Sequence, residues 1–315
     1  MKKNLLSLVV AMFCISAMAQ NSVNLKLNLE KNKVYRFNSV SESTITQTVA
    51  GNSNSSDTKT NNTISIKMVD ATPDFMIAEI RFDSLITVSN AMGKVTNLNS
   101  SKEGDIKSSE ATDVIACVNN RLSKNALYVK MDFSGKVLQV VNSKMLSDVI
   151  LKDTSSITLK DPIGSMIKKQ MQNMVTEKAF ITMVEGYTYY LPAKEVSTGN
   201  SWDVTENTSF GGMTLEVITS YHLDGTNGNK ANITAESNIK APDNVQPIVN
   251  GPTKVTYDDM KGISKSNIVI DTQTGLLVEA KSKSHIAGTL GINYPGGSMQ
   301  MPMDISIDSK VSAIN

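Results

Sequence analysis

Residues 128–141 read YVKMDFSGKVLQVV, and residues 267–280 read NIVIDTQTGLLVEA. In each stretch, alternating apolar and polar residues flank a short segment that begins with Asp and ends with Gly, at Asp132–Gly135 and Asp271–Gly275. Alternation with a period of two is typical of a strand with one buried face, and Gly supplies the positive φ of a tight hairpin turn. Both stretches are therefore predicted to be β-hairpins.

Similar alternation extends to both sides of these hairpins. Residues 63–88 are predicted to form one long hairpin around a turn at Ala71–Asp74. The polar tracts 51–63 and 97–109 and the proline-containing stretch 241–252 are predicted to be loops. Further strands are predicted at residues 202–210, 213–223, 230–240, 263–270, 276–290 and 299–314.

Two segments have helical periodicity instead. Apolar residues recur at spacings of three and four in residues 111–122, and residues 143–186 form a longer helical region. We therefore predict a mainly β fold, that is, a β-rich α+β protein of antiparallel meander sheets. The β regions on either side of the helical segment share their order of strands. They are interpreted as two half-barrel-like halves packed with the central helical segment, or as generic strand–turn–strand similarity.

The N-terminus has the three parts of a secretory signal peptide. Two lysines lie in Met1–Asn4, an apolar run follows to about Ser16, and Ala17–Ala19 is a small-x-small cleavage pattern. The apolar run is too short to cross a bilayer as a helix, which needs about 20 residues. We therefore expect cleavage between Ala19 and Gln20, and a periplasmic or secreted protein.

Cleavage changes the charge and the cysteine inventory. The chain has 31 basic and 30 acidic residues. Losing Lys2 and Lys3 turns its net charge to about −1, which gives a nucleic-acid partner no electrostatic basis. Cys14 is lost as well, so Cys117 has no internal disulfide partner and is predicted to be a small apolar core residue. No second apolar run approaches membrane-spanning length, so no transmembrane segment is expected in the mature chain.

The expected organisation has four parts. They are a signal peptide at 1–19, an N-terminal β half with one short helix at 20–142, a helical segment at 143–186 and a C-terminal β half at 187–315.

The sequence also resembles a family of exported bacterial proteins of unknown function. The resemblance rests on LKLNLEKNKVYRF at 25–37, the Asp-x-x-Gly hairpin, the central helical stretch, LPAKEVSTGNSW at 191–202 and NIVIDTQTGLLVEAKSK at 267–283. It covers nearly the whole mature chain, and its motifs are structural turns and core aromatic residues. It therefore implies a compartment and a β-rich fold, and it implies no chemistry.

Catalytic motifs are poor in this sequence. His222 and His285 both lie in strand-like alternation, with no second ligand at metal-binding spacing, so they are predicted to be ordinary strand residues. Ser165 and Lys168 match the S-x-x-K pattern of serine acylases, but the S-D-N and K-T-G motifs that accompany it are missing.

Two acidic patterns are also interpreted without chemistry. The loop that starts at Asp224 lacks the acidic positions of a calcium loop, so a hairpin turn is the better interpretation. Asp258 and Asp259 would face opposite sides of a strand, which is wrong for paired acid–base work. The sequence therefore predicts no enzyme, no cofactor and no metal site.

Methionine is the one unusual feature of the composition, with 17 residues in the chain. Met299, Met301 and Met303 alternate, so on a strand their thioethers would share one face. Thioethers suit Cu(I), but no nearby Cys or His completes a copper site. The three residues are interpreted as part of an apolar face, with the lining of an apolar ligand site as a candidate role.

The sequence favours one function class without naming an activity. A non-enzymatic envelope protein that binds or carries an apolar or lipid-like ligand is preferred, because curved sheets with helices against the concave face make an apolar cavity. The alternative is a structural or surface-interaction protein of the envelope, which would contact another envelope protein. A hydrolase of unknown type comes third, and the oligomeric state is left open.

Overall fold

The structure, a computed structural model, describes residues 22–210 and 212–314. Strands hold 56% of the described residues and helices 17%, which confirms the mainly β class. The predicted signal peptide and its cleavage site at Ala19 and Gln20 lie outside the described residues.

Sixteen strands are described. Their bounds are β1 Ser22–Leu25, β2 Val34–Val49, β3 Asn52–Ala71, β4 Met76–Ala91, β5 Lys94–Asn99, β6 Leu127–Met131, β7 Val137–Val140, β8 Lys194–Ser197, β9 Ser201–Phe210, β10 Met213–Asn227, β11 Lys230–Lys240, β12 Ile248–Asn250, β13 Thr253–Thr256, β14 Lys261–Asp271, β15 Leu277–Tyr294 and β16 Gly297–Ile314.

Four α-helices are described, and three of them lie in the predicted helical segment. Their bounds are α1 Ala111–Lys124, α2 Ser143–Ile150, α3 Ile163–Met174 and α4 Glu177–Thr188, with a 3₁₀ turn at Thr154–Ser156. Both helical predictions are confirmed. Amphipathic periodicity made these predictions possible, because each helix buries one apolar face in the main core.

Fourteen strands form one antiparallel sheet, which confirms the predicted meander. The main path runs β7-β6-β4-β3-β2-β16-β15-β14-β11-β10-β9, with β5 beside β4 and the β12–β13 pair beside β15. The strands β1 and β8 form a separate pair. The sheet is not closed within the described residues, and helix α4 contacts both β7 and β9, the two ends of the main path.

The pairing of β2 with β16 joins the two predicted β halves at the centre of this sheet. Residues Arg36–Gln47 pair with Met303–Ile314 without a break in register. The proposed boundaries of the halves at 142 and 186 stay a prediction, as does an internal duplication.

The predicted loop at 51–63 is wrong. Residues 52–63 belong to β3, whose backbone pairs with β2 on one side and with β4 on the other. The polar Ser, Asn and Thr side chains of this tract led to the loop prediction, but a strand between two neighbours has its backbone groups satisfied whatever its side chains are. The predicted loop at 97–109 is likewise too long at its start, because β5 continues to Asn99.

Both Asp-to-Gly hairpins are confirmed, and both turns are built in the same way. Asp132 Oδ1 accepts hydrogen bonds from the backbone N–H groups of Ser134 and Lys136. Asp271 Oδ1 accepts from those of Gln273 and Thr274. Gly135 and Gly275 have φ of 89° and 74°. Each turn therefore needs Asp for its side-chain hydrogen bonds and Gly for its backbone conformation.

Candidate ligand-binding face

The strand registers define two faces of the sheet. We call the inner face the one that carries Phe37, Ile268 and Ile305, because it packs against the helices and the chain segment 241–260. Residues directly opposite each other on neighbouring strands share a face. The inner face can therefore be followed from strand to strand as rows of side chains.

Three of four such rows cross all seven strands β2, β9–β11 and β14–β16, and the first row crosses all of them except β9. The first is Ser39, Val311, Ala280, Ile268, Ile233 and Leu223; the second is Ser41, Ser309, Ser282, Ser266, Ala235, Tyr221 and Trp202; the third is Ser43, Ile307, Ser284, Ser264, Ser237, Thr219 and Val204; the fourth is Ile45, Ile305, Ile286, Gly262, Ile239, Val217 and Glu206.

The second and third rows form a band of hydroxyl groups between two apolar rows. We call this set the hydroxyl band: Ser41, Ser43, Thr219, Ser237, Ser264, Ser266, Ser282, Ser284 and Ser309. Except for the buried Thr219, its members are partly buried. Three cross-strand pairs join their hydroxyl oxygens at 2.8–2.9 Å. These contacts leave each serine or threonine oxygen with further hydrogen-bonding capacity.

Two covers flank the hydroxyl band. At one end the helices pack on the sheet, where Phe180 and Val184 of α4 are buried with Ile268 and Ile233. At the other end residues 241–260, which we call the strap, bury Tyr257 and Met260 in a second apolar cluster. The band lies between these two clusters, which explains why its hydroxyl groups are only partly buried.

The inner face of these seven strands is almost free of charge. Among the described residues, Glu206 is the only ionisable acid or base whose side chain lies on it. The outer face has the opposite character and carries cross-strand ion pairs, which join Lys59 to Glu42, Lys240 to Glu216, Lys265 to Glu236, Lys283 to Asp308 and Lys310 to Glu279.

Glu206 lies on β9 at the end of the fourth row. Burial raises the pKa of its carboxyl group, and the nearby Glu185 of α4 raises it further. The pKa of Glu185 is raised as well, chiefly by burial, although its Oε1 accepts a hydrogen bond from the Val137 N–H at 2.9 Å. Two carboxyl groups with raised pKa thus lie in the region where α4 meets the end of the sheet.

Trp202 and Tyr221 lie at the β9 end of the second row, two rows from Glu206. Their rings stack with centroids 5.5 Å apart, and Trp202 Nε1 donates to the Tyr190 carbonyl at 3.0 Å. Burial moves the pKa of Tyr221 well above its usual range, so this phenol is neutral. Trp202 is the one tryptophan of the chain, which makes it an optical reporter at the end of the band.

The structure places the predicted methionine trio on one strand face. Met299, Met301 and Met303 lie on β16, where Met303 is buried and Met301 packs against the strap cluster. They share the inner face with the hydroxyl band and lie beyond the fourth row of that face. Their proposed role in lining an apolar ligand site stays a prediction, and the hydroxyl band itself was missed by sequence reasoning.

The other chemical candidates are not brought together. On the outer face, His222 is partly buried and His285 is exposed, and His285 Nε2 lies 2.7 Å from Asp304 Oδ2. Ser165 is exposed and donates to Asp161 at the start of α3. Within residues 22–210 and 212–314, no group of three His, Cys, Asp or Glu could hold a metal ion. Cys117 is free and buried in the main core, as predicted.

The fold and this face define a class of protein with an open antiparallel sheet and a covered, nearly uncharged inner face. The chain belongs to a family of unknown function (DUF6263), whose model matches residues 73–277. This confirms the resemblance noted from the sequence. No curated protein matches the chain.

Several solved structures are similar to the chain at low identity. A structure of lipovitellin, titled for its lipid–protein interactions, has 12% identity and a TM-score of 0.45; the match covers 91% of this chain but only 26% of the lipovitellin chain. OpdQ of Pseudomonas aeruginosa has 6% identity and a TM-score of 0.26, with 90% and 100% covered. A DUF1329 protein of Desulfovibrio piger has 10% identity and a TM-score of 0.11, with 86% and 83% covered.

At these TM-scores none of the three structures supports an inference about the function of this chain. Among the helices that the structure describes, none is both long and apolar enough to cross a membrane.

Proposed function

We propose that the protein binds and carries an apolar or lipid-like ligand on the inner face of its sheet, without catalysing a reaction on it. The observation that carries this proposal is the distribution of charge. The inner face of seven long strands has Glu206 as its single charged side chain among the described residues, whereas the outer face is covered with ion pairs.

The physical reason is the cost of removing a charge from water. A lipid-like ligand that covers a lysine or carboxylate must strip its hydration, which is unfavourable by several kcal/mol. A face that receives such a ligand is therefore expected to exclude charges, and this one carries only Glu206 among the described residues.

The hydroxyl band adds a polar feature that suits an amphiphile. The apolar first and fourth rows can contact hydrocarbon, and the band between them offers partly buried hydroxyl groups as donors and acceptors. A ligand with apolar segments around ester, amide or hydroxyl groups satisfies both kinds of row. Small polar groups among apolar ones are typical of ligand sites.

Compartment is part of the same proposal. We propose that the chain is exported and works in the periplasm or outside the cell after cleavage between Ala19 and Gln20. The basis is the signal pattern alone. Intact-mass measurement of protein recovered from the periplasm and medium checks this; a mass that retains residues 1–19 would overturn it.

Binding is tested with native mass spectrometry and a fluorescent probe. We expect gently purified protein to retain a ligand of lipid-like mass, and expect the neutral probe N-phenyl-1-naphthylamine to bind with energy transfer from Trp202. In Ser282→Lys a charge enters the band, so probe binding should fall by about tenfold or more. The matched control is Ser306→Lys, on the exposed outer face of β16.

Ser266→Phe gives a second measurement that does not depend on charge. It fills the band with apolar volume and should also reduce probe binding, while far-UV circular dichroism confirms that both variants fold. If the wild-type protein is strictly free of ligand and binds no probe, or if Ser306→Lys lowers binding as much as Ser282→Lys, the inner face is not the binding site.

A further inference from the structure

Four hairpin ends lie at the same end of the sheet. Strand register brings them together, because Gln47 pairs with Met303, Ser56 with Ala91 and Lys254 with Asn293. We call these ends the tip surface and define it as residues 46–55, 90–97, 247–255 and 290–301.

The tip surface has no carboxylate. The chain carries 30 acidic residues in 315, about one in ten by composition, yet none lies in these four segments. Their charged residues are two lysines, Lys94 and Lys254. A third cation is close, because Lys169 of α3 donates to the Val249 carbonyl.

Acids lie at the margin of these segments and not within them. Asp57 pairs with Asn90, and Asp259 accepts a hydrogen bond from the Thr289 N–H at 2.8 Å, about 16 Å along the strand from Tyr294. Asp304 pairs with His285 on the outer face. The absence of carboxylates is therefore a property of the projecting hairpin ends themselves.

The same surface exposes large apolar side chains at its tips. Met92 is 85% exposed, Val95 64%, Val249 47% and Tyr294 44%. They stand on three hairpin ends, with Met92 and Val95 on the same one, so they form projecting points and no continuous groove. A monomeric protein in water gains nothing from placing apolar side chains at the ends of its hairpins.

We propose that the tip surface docks on an anionic lipid bilayer surface. Projecting apolar side chains can enter the boundary between headgroups and acyl chains, which has no fixed shape to match. Lysines near the surface are attracted to anionic headgroups, and carboxylates, which would be repelled, are missing. A protein partner would need a shaped contact region with a buried centre, and scattered tips do not provide one.

Docking would also bring the strap against lipid, since residues 247–255 are part of both. The inference goes beyond the proposed function and holds whether or not the inner face binds a ligand. If both hold, the cover of the hydroxyl band would lie at the lipid surface.

The test is co-flotation of the purified protein with vesicles, which needs no bound ligand. We expect the wild-type protein to float with phosphatidylcholine vesicles that contain about 30% phosphatidylglycerol, and less with pure phosphatidylcholine. The double variant Met92→Asp/Tyr294→Asp should lower the bound fraction by about tenfold. Ile263→Asp is the matched control, because Ile263 is 55% exposed on the outer face away from the tips.

Charge is tested separately. Lys94→Glu/Lys254→Glu should lower binding to the anionic vesicles by about tenfold or more and leave binding to pure phosphatidylcholine unchanged. All the substituted side chains are exposed, so the variants should fold, and circular dichroism checks this. The inference is overturned if wild-type protein floats with neither vesicle, or if Ile263→Asp reduces flotation as much as the tip variants do.

Discussion

Glu206 is an acid placed where the molecule otherwise avoids charge. It lies in a row of apolar side chains, at the end of the sheet where Glu185 of α4 comes near. Burial and the neighbouring carboxyl group both favour its protonated form. Its carboxylate therefore costs free energy in the folded state at neutral pH.

We expect Glu206→Gln to increase the free energy of unfolding at pH 7.5. The carboxyl pKa is raised on folding from its ordinary value of 4.5, so the wild-type protein loses stability as pH rises from that value through the folded pKa. The variant has no such loss, and its advantage should vanish below about pH 4.5. Urea unfolding at both pH values measures the difference.

The control for this prediction is Glu236→Gln. Glu236 is exposed on the outer face and pairs with Lys265 at 3.0 Å, so its loss should change the free energy by less than about 1 kcal/mol. A lower stability of Glu206→Gln than wild type at pH 7.5 would contradict the assignment of a costly charge.

The environment of a single residue could be predicted from the sequence only where it depends on residues nearby in the chain. Alternation correctly put Met299, Met301 and Met303 on one strand face, and the isolation of Cys117 correctly indicated a core thiol. Glu206 could not be found in this way, because its neighbours across the sheet and on α4 are distant in sequence.

At the scale of elements, the two Asp-to-Gly turns reverse the chain and also bind the backbone of residues 26–28. The backbone of residues 26–28 passes beside both, with Leu27 N–H donating to the Phe133 carbonyl at 2.8 Å and Asn28 N–H donating to the Thr274 carbonyl at 2.9 Å. An added Cβ on Gly275 would lie 2.2 Å from the Lys26 carbonyl oxygen. Position 275 thus requires glycine for two reasons: its positive φ and the close approach of the Lys26 backbone.

We expect Gly275→Ala to destabilise the protein by more than about 3 kcal/mol, because it adds a backbone clash to the strain of a positive φ. Gly93→Ala provides the control, since Gly93 has φ of 77° with nothing within 4 Å of the added Cβ. It should cost about 1–2 kcal/mol, from backbone strain alone. Chemical denaturation compares the two, and equal losses would show that the contact with residues 26–28 is unimportant.

The type of element could be predicted where apolar side chains alternate or repeat, and the prediction failed where the side chains are uniformly polar. Residues 52–63 are a strand because β2 pairs with all of them and β4 pairs with residues 56–63 on the other side. The inner-facing Thr58 and Thr60 continue the rows of the hydroxyl band, so their polarity fits the site. No local pattern in this tract distinguishes such a strand from a loop.

At the scale of the whole molecule, one sheet unites the two β regions. The strand β16 lies between β15 and β2, and its Ile305 is completely buried in the fourth row. Pairings between strands this distant in the chain cannot be deduced from alternation, so the sequence predicted the meanders and could not predict which strands join them.

We expect Ile305→Ala to destabilise the protein by about 2–5 kcal/mol, because it leaves a cavity in a buried position. A single cooperative sheet should lose the same free energy at every probe. Trp202 fluorescence, at the far edge of the sheet, and far-UV circular dichroism should therefore shift together in urea. A fluorescence transition that stays at its wild-type midpoint would instead support two β halves that unfold independently.

The β2–β16 pairing also determines how long β2 lacks one of its neighbouring strands during synthesis. About 250 residues separate the two strands, so at a synthesis rate of about 10 residues per second β2 waits roughly 25 seconds for its neighbour to exist. During that interval β2 has an unpaired edge, which can template association with other chains. Covering this strand edge in the unfinished chain should therefore raise the yield of correctly folded protein.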